Sequence, residues 1–347
     1  MRRYDIDWLR VLALGLLIIY HAIVSFQPWG YLIAFPQNED SLEKLWIPMG
    51  LINIWRIPIL FIISGMGVRF AMGSRNWRAL LKDRTIRIFV PYIFGFFFIC
   101  PINLYLASIY FKEIELGGYI PNPGHLWFLG NIFTYVLLLL IILVYLKNNP
   151  DNSIFRFLKN TFRRPFGIYI MSLPFLIEAL LLQPNEYASF ANTPHGFWLG
   201  IICFLTGFIL ISLKDVFWKA VSGVKRWALA IALLLYWIRL IGFELGGPNV
   251  LQAFESFSWM LAIFGFGSSY LNKPSKQLAY LSQAVYPVYI LHMPLQFFFS
   301  LFILPLALPA IFKLLLVLIG TFCGSLLLYD LVIKRLKFIR PLFGLKI

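Results

Sequence analysis

The chain has 347 residues, of which 60% are hydrophobic and 13% charged, and its mean hydropathy is +0.79. Soluble domains hold about 45–50% apolar residues, and so few charges cannot clothe a water-facing surface, so a pair of soluble domains is excluded. With 35 Phe, 17 Tyr and 11 Trp beside 3 Cys, a disordered, collagenous or disulfide-stapled chain is excluded too. The solvent that fits is the bilayer.

A helix crosses the hydrocarbon layer with about 20 apolar residues, and suitable stretches recur ten times. In chain order they cover residues 8–27, 49–71, 87–109, 126–146, 166–182, 196–213, 227–242, 250–271, 281–304 and 308–331. The first follows Arg2 and Arg3 like a signal peptide. It contains Arg10 and His21, however, and has no small-x-small cleavage site, so it reads as a retained helix. The fifth and seventh are the shortest, and only a turn with Pro305 and Pro309 parts the ninth from the tenth. The expected fold class is all-α, a polytopic membrane protein of about ten transmembrane helices. Residues 1–347 read as a single integral membrane domain with no appended soluble domain.

The net charge of +15 is placed by topology. Lys and Arg accumulate in cytoplasmic loops, and here they fill alternate ones: Arg75, Arg78, Lys82 and Arg84; Lys147, Arg156, Lys159, Arg163 and Arg164; Lys214, Lys219, Lys225 and Arg226; Lys273 and Lys276. Arg2 and Arg3 precede the first span, and Lys334, Arg335, Lys337, Arg340 and Lys346 follow the last. Both termini are therefore expected in the cytoplasm, which requires an even number of spans. The lipid bilayer is the expected environment, and nucleic acid is not an expected partner.

Cys100, Cys203 and Cys323 are isolated in apolar stretches, and His21, His125, His195 and His292 are too scattered for a local metal motif. Asp5 and Asp7 suit a helix N-terminus and a partner for Arg10. No metal site, P-loop or dinucleotide fingerprint is expected.

Polar groups inside apolar spans are the informative ones, because burying them in hydrocarbon is costly unless they line a cavity or find partners. Arg10 and His21 are eleven residues apart, about 1100° of helical rotation, so they project from nearly one face about 16 Å apart along the axis. Taken singly, Arg10 could snorkel to the inner interface and His21 bond a neighbouring carbonyl.

The stretch YDIDWLRVLALGLLIIYHAIVSF resembles the first helix of the membrane-bound acyltransferase family 3, whose signature is Arg, ten residues, then His: here Arg10 and His21. Further matches follow in register: LFIISG with Ser64 and Gly65, RTIRIFVPY with Arg84, Arg87 and Pro91, HLWFL with His125 and Trp127, and YPVYILHMP with Tyr286, His292 and Pro294. The resemblance covers essentially the whole chain. Through HLWFL and its compact layout, the chain is similar to the subgroup that includes the succinyltransferase of osmoregulated periplasmic glucans.

The resemblance implies an O-acyltransferase of the bacterial inner membrane. It would move an acyl group, acetyl or succinyl, from a cytoplasmic acyl-CoA to a hydroxyl of an envelope or periplasmic glycan. Acyl-CoA is then a co-substrate, no cofactor is permanently bound, and a homo-oligomer is compatible. The residue chemistry agrees, since an alcohol attacking a thioester needs a base with a pKa near neutrality. His21 is the candidate base, with Arg10 as its catalytic companion or as a residue paired with Asp7.

Arg84 and Arg87, one helical turn apart, suit the anionic donor, as does Ser64 on the second span, although the positive-inside bias alone would also place arginines there. His125, Trp127 and His292 are candidates for the substrates, Trp127 by stacking on a sugar. Ser64, Arg56, His292 and Tyr289 are each candidate oxyanion donors. Glu178, His195, Arg239, Glu244 and Glu255 lie near outer helix ends, as parts of a polar vestibule or as structural ion pairs.

Two other readings follow from the same residues. A transporter or flippase of a glycan would use intramembrane Arg and His for proton coupling, though its usual internal repeat is not seen. A structural partner without activity would have no need of the candidate base.

Overall fold

The computed structural model describes residues 2–112 and 118–346. Its apolar helices, in chain order, are α1 (Tyr4–Val24), α2 (Glu43–Ala71), α3 (Trp77–Phe111), α4 (Gly124–Asn148), α5 (Gly167–Leu182), α6 (Pro194–Ser212), α7 (Asp215–Phe243), α8 (Asn249–Tyr270), α9 (Lys276–Ile303) and α10 (Ala310–Ile333). Among the described residues no strand occurs, and nine of these helices are long and apolar enough to cross a membrane. The chain is an all-α polytopic membrane protein.

The exception is α5, the fifth expected span. Its first six residues, Gly167–Ser172, form a 3-10 turn, and only Leu173–Leu182 are α-helical. Pro174 lies in the first turn of the α-helical part, Pro165 precedes the segment and Pro184 follows it. Phe166 and Gln183 at its two ends are left-handed, with φ of 57° and 42°. The stretched 3-10 turn rises about 2.0 Å per residue, which brings the segment to about 27 Å, against about 30 Å of hydrocarbon.

The chain forms two compact units, each discontinuous in sequence. One comprises Met1–Arg10, Gly50–Lys82 and Asn131–Leu278; the other comprises Val11–Met49, Asp83–Gly130 and Ala279–Ile347. In the first unit, α2 and α6 meet backbone to backbone. A Cβ added at Gly65 would lie 1.8 Å from the Phe204 carbonyl oxygen, and one at Gly207 would lie 2.0 Å from that of Ile62. Small residues at such a crossing are the usual means of close helix packing in membranes. The same unit buries Arg239 of α7 against Glu255 of α8 at 2.7 Å, and His195 against Glu178, also at 2.7 Å.

Prolines inside the spans create the polar requirements that organise both units. A proline lacks the N–H that would satisfy the carbonyl four residues earlier, and in hydrocarbon that carbonyl needs another donor. Pro58 of α2 leaves the Ile54 carbonyl, which accepts from the Ser256 hydroxyl at 2.8 Å. Pro101 of α3 follows a π-helical turn, Gly95–Ile99. Nearby, the Tyr119 hydroxyl donates to Phe97 O and the Asn122 N–H to Phe96 O at 3.3 Å. Pro294 of α9 leaves the Ile290 carbonyl, and there the donor is His125, with Nε2 at 3.1 Å.

Candidate functional site

Three histidines lie together in the second unit. His125 at the start of α4 and His292 in the middle of α9 have ring centroids 5.0 Å apart, nearly perpendicular; His292 and His21 of α1 are 5.2 Å apart with ring planes within 6° of parallel. His292 is fully buried, His125 is 9% exposed, and His21 is half-buried. Backbone contacts fix the arrangement. The Tyr289 hydroxyl donates to the His125 carbonyl, while the Gln296 side chain donates through Nε2 to the His21 carbonyl at 2.8 Å.

The hydrogen bonds assign the protons. His292 Nδ1 lies 2.7 Å from the Tyr289 carbonyl oxygen, and a carbonyl only accepts, so Nδ1 carries the hydrogen. In the neutral ring Nε2 then holds the lone pair. Nε2 lies 3.0 Å from His21 Nδ1, so His21 Nδ1 donates to it, and the lone pair of neutral His21 is on Nε2. For His125, Nε2 donates to Ile290 O, and Nδ1 accepts from Asn103 Nδ2 at 3.4 Å, with the Cys100 thiol 4.0 Å away. These nitrogens are turned on carbonyls, an amide and one another. Among the described residues no three His, Cys, Asp or Glu side chains group to hold a metal ion.

An aromatic surface adjoins His21 in the same unit. Tyr20 is 5.4 Å from its ring and 5.6 Å from Trp46, which meets Trp29 edge-on at 4.7 Å. Phe35 lies 5.9 Å from His21 and packs on Phe297, in a buried cluster against which Tyr20, Trp29 and Trp46 also pack.

The remaining expected residues have other surroundings. Arg10 reaches Asp7 at 3.7 Å, and Asp7 also accepts two bonds from Arg2, at 2.9 and 3.0 Å. The Ser64 hydroxyl donates to the Leu60 carbonyl one turn back, at 2.8 Å, while its neighbour Gly65 makes the α2–α6 crossing. Arg84 lies 3.9 Å from Asp83. Arg84 and Arg87, both half-buried, are not separated by a regular α-helical turn, because Thr85–Phe89 ahead of Pro91 is a π-helical turn; their angular separation differs from the one the sequence implied. Trp127 is half-buried beside Phe128 at 6.3 Å.

The structure therefore unites His21, His125 and His292 with Tyr289, and adds Asn103, Gln296 and the thiol of Cys100 around them. Asn103 carried a signal, as an amide inside an otherwise apolar span. Pro294 carried another, since it calls for a donor to Ile290. Arg10 and Ser64 belong to the first unit.

Nine long apolar helices and one shorter one define an integral membrane protein, and one of its two units holds a cluster of three histidines. Residues 3–330 match the model of the family described as the acyltransferase domain. The chain belongs to that family and is a multi-pass membrane protein. It is similar to the inner membrane protein YcfT of Escherichia coli (strain K12), at 33% identity over 85 residues, 24% of each chain. The alignment thus spans about a quarter of that relative's length. No solved structure matches the chain.

Proposed function

We propose that this protein is an acyl-CoA-dependent O-acyltransferase of the bacterial inner membrane that transfers an acetyl or succinyl group to a hydroxyl of an envelope or periplasmic glycan, with His21 as general base. The observation that carries the reading is the His21–His292 hydrogen bond, 3.0 Å long, inside an apolar bundle. It supplies a neutral imidazole lone pair where an alcohol needs a base. The acceptor O–H gives its proton to His21 as its oxygen bonds to the thioester carbonyl carbon. The resulting tetrahedral centre then expels the thiolate, the C–S bond breaks, and the proton on His21 passes to sulfur.

In this reading Arg84 and Arg87 attract the phosphates of the donor. His125 and Trp127 face the acceptor side. Tyr20 beside His21, continued by Trp46 and Trp29, adds aromatic rings of the type that stack on sugars. The name of the relative YcfT, an inner membrane protein, supports the location.

The test is mass spectrometry of envelope carbohydrates from cells with and without the chain. The expected result is a mass difference equal to one acyl substituent, which also names the group. Identical spectra, with the protein present in the membrane, would contradict acyl transfer and favour a carrier.

A further inference from the structure

We infer that His292 is a positioning residue: its Nε2 accepts the Nδ1 proton of His21, holding His21 in the Nδ1–H tautomer, so that His21 Nε2 is the atom that takes the acceptor's proton. This rests on the reading of His21 as the base and names the atom and the residue that set it.

Tyr289 O is a carbonyl and can only accept, so the 2.7 Å contact orients the His292 ring with its N–H on α9 and its lone pair toward α1. The ring is fully buried, and reversing it would set a lone pair against a carbonyl and an N–H against His21, at the cost of a buried hydrogen bond. His21 is held from the other side as well, since its carbonyl accepts from Gln296, one turn beyond His292 on the same helix. The near-parallel rings, 6° apart, keep the shared hydrogen close to the plane of both imidazoles, where the lone pair lies.

When His21 takes a proton on Nε2, its Nδ1–H bond to His292 becomes charge-assisted and strengthens. His292 thus favours the protonated base without touching either substrate, which differs from the substrate-contacting role its sequence position suggested. The logic is that of a nucleophile's base oriented by a third group, with a neutral imidazole in that third place.

The experiment uses the full chain in lipid nanodiscs, with its histidines labelled with 15N. Only four histidines are present, so the ring spectrum is small, and the His21→Gln variant assigns the His21 signals. At a pH where His21 is neutral, the expected result is Nδ1 protonated and Nε2 unprotonated. In His292→Leu the His21 signals shift to the Nε2–H tautomer or to a mixture. With acetyl-CoA and succinyl-CoA as donors, His292→Leu lowers kcat about 100-fold and changes donor KM less than about twofold. His292→Gln, whose amide oxygen can accept the same hydrogen, recovers about tenfold of that loss.

A His21 ring protonated at Nε2 in the unaltered protein, or a tautomer unchanged in His292→Leu, would overturn the inference. The tautomer readout needs no turnover. If it comes out as expected while no donor is consumed, the acyltransferase reading fails and the histidine pairing stands.

Discussion

Arg239 directs Nε and one terminal nitrogen at Glu255, at 2.7 and 3.1 Å, and donates two further bonds to the carbonyls of Gly50 and Leu245. Trp259 adds a third donor to the carboxylate, at 3.3 Å. The guanidinium is 3% exposed and the carboxylate fully buried, so each depends on the other for its charge to be tolerated. Removing one partner of such a pair costs about 3–5 kcal/mol, because the other is left buried and unmatched. Glu255→Ala should therefore lower the thermal unfolding temperature of the detergent-solubilised protein sharply, and Glu255→Gln, which keeps acceptor oxygen and shape, should lower it less; equal stability of Glu255→Ala and the parent would refute the role. Residues of this kind are structural, and sequence alone could only offer them as vestibule or ion pair. Arg10 and His21 were more legible, since eleven residues on one helix fix their shared face whatever packs around them. The partner of His21 was not, because residues 271 positions apart are joined by tertiary packing and not by any local pattern.

On α9, sequence and site are linked by proline. Pro294 withdraws the N–H that would close the helix onto Ile290, and His125 of α4 donates in its place, while Tyr289 returns a bond to the His125 carbonyl. Two motifs that are distant in the chain, HLWFL and YPVYILHMP, are thus parts of one joint. Pro294→Ala restores the backbone N–H, which then competes with His125 for the Ile290 oxygen. We expect thermal stability to be kept or raised, by up to about 3 kcal/mol in the helix, while the ring signals of His125 change and acyl transfer falls. A variant with unaltered His125 signals and full activity would mean the joint has no bearing on the site. The same rule accounts for Ser256 at Ile54 and for Tyr119 at Phe97. It could have been applied to the sequence, since each interior proline marks a carbonyl four residues back in need of a donor, though not which donor would come. Arg84 and Arg87 illustrate the limit, because a π-helical turn leaves no trace in hydrophobic periodicity.

At the scale of the molecule, the bilayer makes much of the fold readable. Hydrocarbon thickness sets span length, so nine expected spans correspond to long apolar helices, and the fifth is short for a reason visible in its prolines and its 3-10 turn. The division into two discontinuous units was not readable, since it depends on which helices pack together and apolar spans look alike to one another. Only the polar exceptions distinguish them, and three of the four histidines converge on one of these units.

The role of His21 as the base for acyl transfer is tested most directly by measuring donor binding and transfer side by side in the unaltered protein and in His21→Ala, folded in nanodiscs, with acetyl-CoA and succinyl-CoA. The account predicts donor affinity within about twofold and transfer lower by about 10²–10⁴-fold. Equal turnover in the two proteins would contradict it.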